Sequence, residues 1–400
     1  MTGFIAMAAF VVLFALVARR LSRTVITEPL AFVGAGVALA LLGLVPEPAT
    51  EEALHVLAEI ALIVLLLLRA AKTDITRLRR RQTWPARMLL VGLPLAFLLG
   101  WGAAAVLLPG WPLAMAALAA ALLVPTDGAL GQPVLNNTEV PERARRTLNV
   151  ESGLNDGFSL PLVLMTAGFA APAADAPGMG WAMFTLMQVT LGPAVGAVLG
   201  LAGGWLVIRA QSAETATEPH EGIAALALAL LCYLVAEAVG GNGFIAAFVG
   251  GLGFGAMAKG RCAFVYEFTE SEGQIFSWAA FFLIGAVLVP RVAPELTWPM
   301  LALILLSLFM LRPVAIWLSL AGSDASPATR LFFGWFGPRG LATVLFALLA
   351  VGQIGETGDP VLVLAGNAVW ISALLHGISA VPGARLYATA TRRLGPEAPE

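Results

Sequence analysis

The chain has 400 residues, 59% of them hydrophobic and only 12% charged, with a formal net charge of -2. Ordinary globular domains hold roughly 45–50% apolar and about 25% charged residues, so this composition excludes a string of soluble domains, while the net charge by itself says nothing about nucleic acid. Apolar runs recur along the whole length, and about 17–25 such residues suffice to cross a bilayer as a helix.

The first apolar run, 4–17, has no basic residue before it, and Arg19, Arg20 and Arg23 after it. A secretory signal has the opposite order, so this run reads as a retained first span with its N-terminus outside. Thirteen spans are expected in all, near 3–18, 27–45, 53–70, 85–108, 112–136, 147–170, 180–208, 222–238, 242–258, 271–289, 298–319, 326–351 and 358–381. Basic residues concentrate in cytoplasmic connections, and this distribution tests the count. With the N-terminus outside, 20 of the 23 Lys and Arg residues fall at odd-numbered connections or in the tail, the remaining three being Arg291, Arg312 and Arg339. Arg69 is assigned with the third connection, together with Lys72, Arg77, Arg79, Arg80, Arg81 and Arg87.

The polar connection 211–221 divides two halves, and 259–273 reads as a short interfacial helix or a plain connector. Cys232 and Cys262 lie far apart, beside no metal-ligand partners, and read as small packing residues.

Two spans are interrupted. The fifth breaks at Pro125-Thr126-Asp127-Gly128 and the twelfth at Gly334-Trp335-Phe336-Gly337-Pro338-Arg339-Gly340. Proline removes a backbone donor and glycine weakens a helix, so both breaks expose backbone polar groups at bilayer depth. The fifth and twelfth spans hold equivalent positions in two six-span halves joined by the seventh. That layout predicts an all-α polytopic membrane protein with inverted repeats and two crossed discontinuous helices, which is transporter architecture.

Charged groups at bilayer depth cost several kcal/mol, so those near the breaks need a function. Asp156 is the first choice for an ion-binding carboxylate, with Ser152 one turn earlier on the same face. Out of water a carboxylate needs either a proton or a cation beside it, and competition between the two is sufficient for exchange. The opposing reading pairs Asp156 with an arginine as a structural group. Asn155 is neutral, so the tandem carries at most one negative charge, which favours one proton per cation. Thr126 and Asp127 either offer oxygen to the ion or cap the following half-helix. Glu151 and Arg312 form the natural buried ion pair. Arg339 either compensates helix-end carbonyls or hydrogen-bonds Asn155 and Thr126. Glu237 reads as a solvated rim residue, and His376 and Asn367 as packing groups.

Thr126-Asp127 followed by Glu151-Ser152-Gly153-Leu154-Asn155-Asp156 resembles the monovalent cation:proton antiporters, in the sodium/proton exchanger branch with an Asn-Asp tandem (cation/proton antiporter family 1). Arg312-Pro313, Gly337-Pro338-Arg339-Gly340 and the glycine-rich stretch from Gly241 to Gly251 resemble the same family. The resemblance implies thirteen spans divided between dimerisation helices (1–84 and 222–297) and core helices (85–170 and 298–383). A linking helix and loop (171–221) and a cytoplasmic tail (384–400) complete the chain. It implies that Asp156, Ser152 and Thr126 bind the monovalent cation, with Asp127 and Asn155 beside them, and that Glu151, Arg312 and Arg339 support the site. It also implies a homodimer in membrane lipid of the inner membrane, with a cytoplasmic C-terminus, no cofactor beyond the transported ions and no nucleic acid. The expected activity is electroneutral exchange for pH and cation homeostasis, with sodium first and potassium or lithium as alternatives. Two positions depart from the family: Gly128 stands where proline is frequent, and Leu66-Leu67-Leu68-Arg69 where many members carry an acidic or small residue.

Other readings fit less well. An intramembrane aspartyl protease needs Tyr-Asp and Gly-x-Gly-Asp contexts, which Asp127 and Asp156 lack. A sodium-coupled symporter of an organic anion would need a second sodium site, and a channel would need a continuous filter.

Overall fold

The computed structural model describes residues 2–394 apart from 22–23, 25, 46, 73–82, 136, 172–180 and 260–262. The basic run 77–81, the connection 172–180, Arg23, Arg261, Cys262 and the last six residues therefore lie outside the described residues. Within them the chain is helical, without a strand.

The helices, in order, are α1 (Thr2–Leu21), α2 (Glu28–Leu41), α3 (Glu47–Ala71), α4 (Thr83–Leu107), α5 (Leu113–Leu122), α6 (Gly128–Leu135), α7 (Glu142–Ala170) and α8 (Trp181–Ser212). They continue with α9 (Glu218–Ala238), α10 (Gly243–Ala258), α11 (Ala263–Leu283), α12 (Trp298–Ser319), α13 (Pro327–Trp335), α14 (Leu341–Ile354) and α15 (Asp359–Leu394). Among the described residues six helices are long and apolar enough to cross a membrane, and five shorter apolar helices accompany them. The fifth expected span resolves into α5 and α6, and the twelfth into α13 and α14, interrupted where proline and glycine fall. The 259–273 segment differs from expectation: α11 begins at Ala263 and runs straight on into the tenth span, because no proline and no glycine before Gly273 interrupts it.

Several helix starts follow from local sequence. Asn242 Oδ1 accepts the Ile245 N–H at 2.9 Å, and Ser326 Oγ accepts the Thr329 N–H at 3.2 Å, each satisfying a first-turn donor. Three π-helical turns, Met88–Gly92, Ile284–Leu288 and Ser307–Leu311, each end two residues before a proline: Pro94, Pro290 and Pro313. Proline lacks the donor and clashes with the carbonyl four residues back, so the preceding turn widens to accommodate it. In this way α12 stays continuous through Arg312 and Pro313.

Packing is close where small residues meet. A Cβ added at Gly196 or Gly200 of α8 would stand 2.3 or 2.1 Å from the carbonyl oxygens of Ala246 and Gly250 on α10. Such backbone-to-backbone contact is how helices associate where lipid removes the hydrophobic drive between them. Leu41, Val106, Leu186, Leu206, Leu318 and Leu386 are exposed, as outward side chains of bilayer helices are.

Candidate functional site

The two helix breaks meet. The Asp127 N–H donates to the Pro338 carbonyl at 2.8 Å, and Asp127 Oδ2 accepts the Leu341 N–H at 2.8 Å. Asp127 immediately precedes α6 and caps α14 across the break, so one carboxylate serves the positive ends of two half-helices. The carbonyl ends are met by Arg339, whose Nη1 lies 3.4 and 3.5 Å from the Val124 and Pro125 oxygens beyond α5 and 3.2 Å from Gly337 O beyond α13. Its Nη2 donates to Ser307 Oγ at 3.1 Å, and its backbone N–H to Ser372 Oγ at 2.7 Å. The last α13 carbonyl, Trp335 O, lies 3.0 Å from His376 Nε2. Arg339 thus lies at the helix-end carbonyls, and no hydrogen bond from it to Asn155 or Thr126 is found among the described residues.

The second break can now be read residue by residue. A Cβ at Gly337 would fall 1.7 Å from Arg312 Nε, and one at Gly340 would fall 2.0 Å from Asp127 Oδ2. Pro338 supplies the carbonyl for Asp127, and Arg339 neutralises the helix ends. Each of the four residues has a steric or electrostatic task.

Glu151 and Arg312 are paired, Oε1 to Nη2 at 3.2 Å, and both are buried. Asn155 Nδ2 donates to Glu151 Oε1 at 3.0 Å and approaches Thr126 Oγ1 at 3.3 Å, while Thr126 Oγ1 donates to Glu151 Oε2 at 3.3 Å. Ser159 Oγ closes the chain on Asn155 Oδ1 at 2.8 Å. The side chains of Thr126 and Asn155 are therefore engaged in fastening α7 to the first break. Ser152 faces the start of α6: its Cβ lies 3.5 Å from where a Cβ on Gly128 would stand.

Asp156 is buried one helical turn beyond Ser152. Its Oδ2 accepts from Arg69 Nη1 at 2.6 Å, and Arg69 Nη2 reaches Asp127 Oδ1 at 3.2 Å. The other oxygen, Asp156 Oδ1, is buried without a hydrogen-bond partner among the described residues. Arg69 thus lies within the site and not in the basic loop to which its position at the end of an apolar run assigned it. One turn of depth separates the two placements, and hydropathy does not resolve a single turn. The departure from an acidic or small residue at this position was the only signal of its role.

The remaining polar residues are structural. Glu237 is exposed and accepts the Gly243 N–H at 2.8 Å. Asn367 binds the Val292 and Val363 carbonyls at 2.7 and 2.9 Å. In the connection after α12, Asp324 accepts from Arg143 Nη1 and Trp84 Nε1, both at 2.6 Å, with the Arg143 guanidinium 3.7 Å above the Trp84 ring. Partial burial opposes ionisation of Asp324, but these two hydrogen bonds and the Arg143 charge hold its carboxyl below the usual carboxylate range.

The family model described as "Sodium/hydrogen exchanger, transmembrane" matches residues 6–385. The K(+)/H(+) antiporter NhaP2 of Shewanella oneidensis is 29% identical over 272 residues, which is 67% of this chain and 46% of that protein. The Na(+)/H(+) antiporter NhaH of Halobacillus dabanensis is 27% identical over 297 residues, 70% of each chain. The chain spans about half the length of the NhaP2 relatives it matches. In fold it is similar to the sodium proton antiporter MjNhaP1 of Methanocaldococcus jannaschii, with a TM-score of 0.75 at 22% identity, covering 97% of this chain and 100% of that one.

Proposed function

The chain belongs to the sodium/hydrogen exchanger family, and from that premise we propose that it is a secondary active transporter exchanging a monovalent cation for a proton. One observation carries the reading: a buried carboxylate oxygen, Asp156 Oδ1, has no hydrogen-bond partner among the described residues and lies beside two helix breaks that meet at Asp127. An ionised carboxylate at bilayer depth is costly unless something neutralises it. Arg69 meets one Asp156 oxygen, and a proton bound to Oδ1 or a cation liganded by oxygen competes for the carboxylate, the two excluding each other. Asp156 is the exchanging group, with Asp127, Ser152, Thr126 and Asn155 around it. Glu151, Arg312 and Arg339 hold the breaks in place without taking part in the exchange. One titrating carboxylate gives one proton per cation, an electroneutral cycle run by alternating access. Sodium or potassium fits the oxygen donors, and relatives named for each ion support testing both.

The wider architecture belongs to the same proposal. Counting α5 with α6 and α13 with α14 as single spans gives thirteen, in inverted repeats whose two discontinuous helices cross at the site. Helices before residue 85 and between 222 and 297 form the dimerisation side of a homodimer, and 85–170 with 298–383 form the moving core. The protein lies in the inner membrane with its N-terminus outside. The test is dissipation of an imposed pH gradient in proteoliposomes by sodium, potassium and lithium, for the wild type and Asp156→Ala. Cation-dependent proton movement that vanishes in the variant is expected; movement that persists in it, or none in the wild type, contradicts the reading.

A further inference from the structure

We propose that Arg69 is the resident counter-cation of this site: its guanidinium occupies the place beside Asp156 that the transported cation must take, and entry of the ion displaces it. The proposal rests on the exchange reading above and adds a residue that sets the affinity of the site.

The geometry is that of an occupied site. Arg69 divides its two terminal nitrogens between Asp156, at 2.6 Å, and Asp127, at 3.2 Å, the two carboxylates that flank the breaks. Its helix is firmly seated: a Cβ at Gly251 or Gly255 of α10 would stand 2.2 Å from the Leu67 or Ala71 carbonyl oxygen of α3. Backbone contact this close fixes the register of α3, and it fixes which face of that helix meets α7.

Charge explains why the cation and Arg69 exclude each other. Among the described residues the site gathers Asp127, Glu151 and Asp156 with Arg69, Arg312 and Arg339, three of each sign. Once Asp156 has given up its proton, these six charges of the described residues cancel before a cation arrives. A further cation beside Asp156 would leave one positive charge uncompensated in a low-dielectric region, where charges interact far more strongly than in water. A lysine could answer by losing its proton, whereas arginine keeps its charge under all ordinary conditions. Arg69 can therefore yield only by moving. Its side chain keeps 19% of its surface, against 2% for each carboxylate, so Arg69 is the least enclosed of the three.

The experiment is cation-dependent proton movement in proteoliposomes at alkaline pH, where protons compete least. Wild type, Arg69→Gln and Arg69→Lys are titrated with sodium chloride and with potassium chloride. Loss of a charge-assisted competitor predicts that R69Q half-saturates at a cation concentration lower by about tenfold or more, with R69K, whose ammonium can give up its proton as the ion enters, half-saturating between R69Q and the wild type. Should R69Q transport too slowly to titrate, thermal stabilisation of the detergent-purified protein by the same salts gives the half-saturating concentration, and the same fall is expected. An R69Q midpoint equal to or above the wild type's overturns the resident-cation role and leaves the exchange reading standing. A wild type without cation-dependent proton movement overturns both.

Discussion

Removing the Arg312 guanidinium should destabilise the protein more than removing both partners of its ion pair. Glu151 Oε1 and Arg312 Nη2 are 3.2 Å apart with 1% and 5% of their side-chain surfaces accessible, so neither charge is shared with solvent. In Arg312→Met, the hydrogen bonds left to Glu151 among the described residues come from the neutral donors Thr126 Oγ1 and Asn155 Nδ2. Stranding one member of a buried pair costs about 3–5 kcal/mol. Spread over an unfolding entropy of roughly 2 cal/mol/K per residue, that is a fall of about 4–6 °C in melting temperature for a chain of this length. The assay is thermal unfolding in mild detergent followed by tryptophan fluorescence. The double variant E151Q/R312M removes both charges and keeps an acceptor for Asn155, so it should recover most of the loss. An R312M melting temperature equal to the wild type's, or a double variant less stable than R312M, would refute the reasoning.

Gly340→Ala should abolish exchange without preventing membrane insertion, because its Cβ would stand 2.0 Å from Asp127 Oδ2 and drive that carboxylate from the α14 N-terminus; wild-type transport rates in proteoliposomes would contradict this. The lowered carboxyl of Asp324 gives a prediction outside the membrane. A carboxyl held below its unfolded value of about 3.9 contributes stability that is complete above that value and is lost as pH falls through the lower folded value. Asp324→Asn should therefore melt below the wild type at pH 7, and the gap should close only in strong acid. A gap that widens on acidification would refute the assignment.

Much of the fold is legible in the sequence because the bilayer imposes simple rules. Apolar length marks the helices, and Pro125, Gly128, Gly337, Pro338 and Gly340 mark the breaks that separate α5 from α6 and α13 from α14. The Glu151–Arg312 pair is legible for the same reason, since a lone arginine inside an apolar run must find an acid. Contact between the breaks is not legible: Asp127 and Leu341 lie 214 residues apart, and only folding shows that one caps the other. The three π turns are half-legible, since proline announces a local defect without saying whether the helix will kink or widen. Arg69 is hidden because a basic residue at the end of an apolar run reads as an interfacial charge, whether it points to water or into the site. The opposing reading of Asp156 foresees an arginine beside it, and Arg69 pairs with one oxygen while the other has no hydrogen-bond partner among the described residues.

The central claim is that a proton and a cation compete for Asp156. Its most direct test is proton release from the purified protein in weakly buffered detergent solution, read with a pH-indicator dye as sodium or potassium chloride is added, with choline chloride as the control. Protons that appear as cation binds, at neutral to alkaline pH, and that fail to appear in Asp156→Asn, are the result the account predicts. Release that persists in Asp156→Asn, or cation binding that frees no proton from the wild type, would contradict it.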